Sequence, residues 1–122
     1  MKTLISVILS LLLLSTAVYV ATPEKEIEIH TSGILVVEFN AGFNQKNTVP
    51  WIERLSRCRT TRIDLDASPS IQRKHEIVVV PTIVVFSNGE EVTRFQANIM
   101  MAMEATEADV QSAIDEIILS DF

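Results

Sequence analysis

At 122 residues, 48% apolar and 21% charged, the chain has the makeup of one globular domain with a modest core. Its formal net charge of −6 argues against nucleic acid or an anionic membrane surface as the main partner, since both require a basic footprint. The single cysteine, Cys58, excludes an intramolecular disulfide and any zinc site built on Cys-x-x-Cys spacing.

Residues 1–21 read as a targeting segment. Lys2 precedes an apolar run from Leu4 to Leu14, broken only by Ser6 and Ser10, and Ser15 and Ala17 offer small residues at the cleavage-determining positions. The pattern is that of a secretory signal. An uncleaved anchor is the other reading, with Leu4 to Val20 at the short limit for a membrane-spanning helix. Either reading places the remaining domain, residues 22–122, outside the cytosol. Periplasm or cell envelope comes first, and a secretory lumen or secretion stands beside it.

Along the domain, Glu26-Ile27-Glu28-Ile29-His30 alternates as a short half-buried strand does. Ile34 to Phe39 is a nearly unbroken apolar run and predicts a strand covered on both faces, with Glu38 as its anomaly. Asn40 to Asn47 reads as a polar loop. Thr48 to Arg57 predicts a short helix, capped by Thr48, with Pro50 in its first turn and Val49, Ile52 and Leu55 on one side. Arg59 to Asp66 predicts a strand. Ser68 then caps a helix that has Pro69 at its first position and runs to about His75.

Thr82 to Phe86 predicts a further strand after Pro81, and Asn88-Gly89 turns it into a hairpin with Glu91 to Phe95, whose main apolar residues are Val92 and Phe95. Asn98 to Ala105 is irregular and rich in methionine. The last helix starts at Thr106 with Asp109 three residues on, a capping-box pattern. It carries an apolar stripe of Val110, Ala113, Ile114, Ile117 and Ile118. Strands joined through helices, plus one hairpin, give an α/β fold: a three-layer sandwich with a mixed sheet and helices on both faces.

Three segments together resemble the thioredoxin family. Val37-Glu38-Phe39-x-Ala41 is similar to its central strand and buried acid. Ile63-Asp64-Leu65-Asp66-x-x-Pro69 is similar to the strand and turn that follow. Val80-Pro81-Thr82, with Ile83 to Glu90, is similar to its cis-proline loop, strand and hairpin. The resemblance spans roughly Ile34 to Ile118 and implies a thioredoxin-like sandwich, shortened at its N-terminus because Glu26 to Gly33 leaves room for a strand only.

The resemblance also exposes a departure. Where the family carries Trp-Cys-x-x-Cys, this chain reads Phe43-Asn44-Gln45-Lys46-Asn47, so Asn44 and Asn47 stand in place of the two cysteines. An amide cannot attack a disulfide, and dithiol exchange needs both thiols. No catalytic residue, and no disulfide oxidoreductase activity, is therefore expected from these positions. The two asparagines either cap the loop or hydrogen-bond a bound peptide.

Glu38 is expected to remain as a structural acid, paired with Arg62 on the neighbouring strand. The loop at Pro81 is expected to leave the Val80 backbone open to strand addition by an extended polypeptide. The expected binding face thus comprises Phe43, Asn44, Asn47, Val80, Pro81 and Thr82. Cys58 is either a small buried hydrophobe or an exposed thiol made reactive by its neighbours Arg57 and Arg59. Trp51 and the group Met100, Met101 and Met103 read as core and cover residues. His30 and His75 are isolated, so neither a metal nor another cofactor is expected.

The leading functional expectation is an exported, redox-inactive domain that binds a protein or peptide partner through its cis-proline face. A one-cysteine redox protein acting through Cys58 is the first alternative. The second is a scaffold domain, tethered to the membrane only by an uncleaved N-terminal segment and able to form a homodimer.

Overall fold

The computed structural model describes residues 29 and 32–121. Its centre is a four-stranded mixed sheet in the order β2–β1–β3–β4. Strand β1 spans Ile34–Asn40, β2 Arg59–Asp64, β3 Thr82–Ser87 and β4 Glu90–Gln96. β1 runs parallel to β2 and antiparallel to β3, and β3 pairs antiparallel with β4. Helix α1 is Pro69–Lys74 and helix α2 is Glu107–Ser120.

The apolar run of β1 takes the central position because it can be covered on both faces. Leu35, Val37 and Phe39 face one layer, completed by Ile63, Leu65, Ile71, Ile77, Val84 and Phe86. Val36 faces the other, with Val49, Ile52, Leu55, Ile83, Val85, Val110 and Ile114. Helix α1 thus covers the first face, while α2 and the stretch from Val49 to Leu55 cover the second. Ile29 packs against the first layer; the rest of the strand expected over Glu26 to His30 lies outside the described residues.

Local chemistry explains the ends. Pro69 opens α1 at its first position, with Ser68 at the N-cap, although the Ser68 side chain makes no capping hydrogen bond. Asn88 and Gly89 both take positive φ (51° and 83°), the requirement of a tight hairpin turn between β3 and β4. At α2 both halves of the capping box form: the Asp109 N–H donates to Thr106 Oγ1 at 3.2 Å and the Thr106 N–H to Asp109 Oδ2 at 2.8 Å.

The expected helix over Thr48 to Arg57 is not formed. Only a 3₁₀ turn, Ile52–Arg54, appears there, and Thr48 instead follows a first 3₁₀ segment, Gly42–Asn47, that replaces the expected loop. Val49, Ile52 and Leu55 recur every three residues, which is the 3₁₀ period and not the 3.6 of an α-helix. The Val49 N–H is donated to the Glu38 carboxylate at 2.7 Å. Leu55 is extended and Arg57 is left-handed (φ 65°), so the chain turns there into β2.

Strand β2 ends at Asp64, two residues earlier than expected, where the Asp64 carboxylate accepts the Asp66 N–H at 2.9 Å and turns the chain. Of the two main apolar residues of β4, Val92 is exposed and Phe95 packs on the second layer. Trp51 and Met103 do cover that layer, but Met100 and Met101 face solvent.

Candidate functional site

The C-terminal ends of β1 and β2 and the loop entering β3 meet at one end of the sheet. Asn40 closes β1, and the Gly42–Asn47 turn carries the two asparagines. Asn44 is 1% exposed and is the hub of the region. Its Nδ2 lies 3.2 Å from Asn40 Oδ1, 3.2 Å from the Val80 carbonyl and 3.1 Å from the Met101 carbonyl. Two N–H groups therefore serve three acceptors. Its Oδ1 accepts from Asn47 Nδ2 at 2.9 Å. The positions expected to replace the cysteines thus tie three loops together.

The Val80–Pro81 peptide bond is cis. The Val80 backbone is not simply open, as expected from sequence: its carbonyl is held from within by Asn44. Neighbouring carbonyls are also engaged, that of Val79 by Thr82 Oγ1 at 2.7 Å and that of Pro81 by the Ala97 N–H at 3.1 Å. Pro81 and Thr82 are buried.

What is open is apolar surface. Phe43 is 72% exposed, Val78 75% and Ile99 98%. They border a groove of ≈ 290 Å³ lined by Ala41, Leu65, Ile77, Val80 and Met101 among others. Asn98 shapes one wall: its Oδ1 accepts the N–H groups of Met100 and Ala102, and the left-handed Met101 (φ 57°) completes the turn. Arg94 steadies the other, donating to the carbonyls of His75 (2.9 Å) and Glu76 (3.1 Å) where the chain leaves α1. Sequence reasoning missed Val78, Asn98 and Ile99. The methionine-rich stretch was the one signal for that wall, and it reads equally as core cover.

Glu38 lies beneath the region, 1% exposed, on the second face of β1. Its Oε1 pairs with Arg62 Nη1 across the β1–β2 register, and Arg62 also reaches Glu53 at 3.5 Å. Burial pushes the carboxyl above its usual range, against the opposing pull of the Val49 N–H and Arg62. Glu38 and the groove residues do not converge on one reacting point, and Glu38 faces a separate hollow lined by Asn40, Thr48, Arg62 and Asp64.

Cys58 is half-buried against the second core layer, remote in the fold from the groove residues. Its thiol is pushed up by burial, the reverse of the lowering expected from Arg57 and Arg59. Those cations are turned elsewhere, Arg57 toward Asp115 at 3.6 Å and Arg59 to the Ser32 carbonyl.

Known proteins match this architecture. Thioredoxin from two strains of Staphylococcus epidermidis is 31% identical over 70 residues, which cover 52% of this chain and 67% of the relative. The chain belongs to the thioredoxin family. No family model matches it. Among solved thioredoxins, the reduced protein from Schistosoma mansoni superposes with a TM-score of 0.57 at 26% identity, over 71% of this chain and 81% of that one. A mutant thioredoxin from Halobacterium salinarum shares the fold at TM-score 0.59 and 18% identity, over 80% and 94%. With one cysteine in the whole sequence, this thioredoxin-family chain lacks the dithiol pair.

Proposed function

We propose that this chain is an exported, redox-inactive thioredoxin-like domain that holds a polypeptide partner at the face around Val80 and Pro81. The observation that carries the reading is the apolar groove beside Pro81, with Phe43, Val78 and Ile99 exposed along it. A contiguous exposed apolar surface on a small domain marks an interaction site. Asn44 and Asn47 support the redox-inactive part of the reading, because a buried amide hub spent on internal hydrogen bonds shapes the loops and supplies no nucleophile.

Export rests on the leader pattern of residues 1–21, which lie outside the described residues; fractionation of cells expressing the full chain tests it, and recovery from the cytosol with the leader intact contradicts it. Among the described residues no helix is long and apolar enough to cross a membrane. The rival one-cysteine reading draws no support from Cys58, whose raised pKa leaves little thiolate near neutral pH.

Two assays test the function together. The domain should reduce insulin disulfides with dithiothreitol no faster than its Cys58→Ser variant. It should also bind an end-blocked heptapeptide of alternating leucine and serine, and the double variant Phe43→Ser/Ile99→Ser should lose that binding at least about tenfold. Turnover above the Cys58→Ser level, or unchanged peptide binding by the double variant, overturns the reading.

A further inference from the structure

We infer that the polypeptide taken by this groove carries a cationic side chain among its apolar ones, and that Asp66 is the residue that selects it. The inference rests on the groove reading above and adds the chemistry of its occupant.

Asp66 is the one charged side chain among the residues lining the groove. The rest of the lining is neutral: apolar Phe43, Leu65, Ile77, Val78 and Ile99 with the amides of Gln72 and Asn98, so no other side chain there offers an approaching cation a full charge. Among the described residues no Lys, Arg or His lies within ion-pair distance of Asp66, although five other carboxylates (Glu38, Glu53, Glu91, Glu107, Asp115) have such a partner. The groove therefore presents an exposed carboxylate without a cationic partner at its edge, in a chain whose net charge of −6 already draws cations.

The carboxylate is also held in place. Asp66 Oδ2 accepts the Gly42 N–H at 2.8 Å, and the Asp66 N–H is bound to Asp64 Oδ1 at 2.9 Å. Gly42 makes the first of these possible, because a Cβ there would stand 2.9 Å from Oδ2. Asn98, which also lines the groove, donates its Nδ2 to Glu104 Oε1 at 3.1 Å, outside the lining. A ligand with lysine or arginine between apolar residues meets charge complementarity at Asp66 and apolar contact on both sides. An acidic segment would meet repulsion from Asp66.

The test compares two end-blocked heptapeptides with leucine at alternate positions. The intervening residues are serine in one and lysine in the other. Binding is followed by fluorescence anisotropy at low and moderate salt, for the wild type, Asp66→Asn and Glu116→Gln. Asparagine keeps an acceptor for the Gly42 N–H, and Glu116 on α2 supplies the same change of net charge away from the groove. The wild type should prefer the lysine peptide, and Asp66→Asn should weaken that peptide alone by roughly two- to fivefold, the scale of an exposed ion pair. Glu116→Gln should leave both affinities in place.

Equal binding of the lysine peptide by wild type and Asp66→Asn overturns the role of Asp66 while leaving the groove reading intact. An equal loss in Glu116→Gln overturns it too, because the effect is then one of net charge. Failure of the wild type to bind either peptide overturns the groove reading itself.

Discussion

At Glu38, burial and pairing pull in opposite directions. Burial is the larger effect and raises the carboxyl, so the folded state keeps its proton to a higher pH than the unfolded chain does. The stabilising contribution of this group is therefore complete below the ordinary carboxylate value of 4.5 and is lost as pH rises through the folded value. Replacing it by glutamine removes that slope. Urea midpoints of wild type and Glu38→Gln, compared across pH, should converge in acid and separate in favour of the variant as pH rises; parallel profiles would show that Glu38 titrates normally. Asn44 makes a second prediction at this scale. Alanine there strands the Val80 and Met101 carbonyls of their buried donor, a loss of about 2–3 kcal/mol by urea denaturation. A loss under about 0.5 kcal/mol would mean that water replaces the amide.

The elements follow from short-range chemistry where that chemistry is unambiguous. The capping box at Thr106 and the stripe through Val110 and Ile114 made α2 legible, and Asn88-Gly89 with Ile83 to Phe86 made the hairpin legible. Thr106→Ala should accordingly cost about 1 kcal/mol in thermal or urea denaturation, with no change in peptide binding; an unchanged midpoint would remove the cap from the account. The stretch from Thr48 to Arg57 is not legible in the same way, because a three-residue spacing fits both a short α-helix and a 3₁₀ turn. The chain leaves the helical conformation at Leu55, which is extended, and at Arg57, which is left-handed, and the Glu38 carboxylate holds the Val49 N–H across 11 residues; no local pattern announces these. The same holds for the face around Pro81. Asn44 and Pro81 could be placed by resemblance, but the bond from Asn44 to the Val80 carbonyl bridges 36 residues, and the exposure of Ile99 depends on how Asn98 folds its own turn.

Across the whole molecule, the sheet buries its two apolar layers and leaves its chemistry at one end. The thioredoxin fold survives here with an amide network where the family has two thiols, and with its lone cysteine half-buried away from that end. The proposed function asks of this scaffold only an apolar groove and a fixed carboxylate, and neither needs a redox partner. The most direct test is nuclear magnetic resonance shift mapping of the isotopically labelled domain during titration with the leucine–lysine heptapeptide. The account predicts shifts concentrated on Phe43, Asp66, Val78 to Val80 and Ile99 to Met101, with Cys58 and its neighbours unmoved. Shifts centred on Cys58, or on the outer edge of β2, would contradict it.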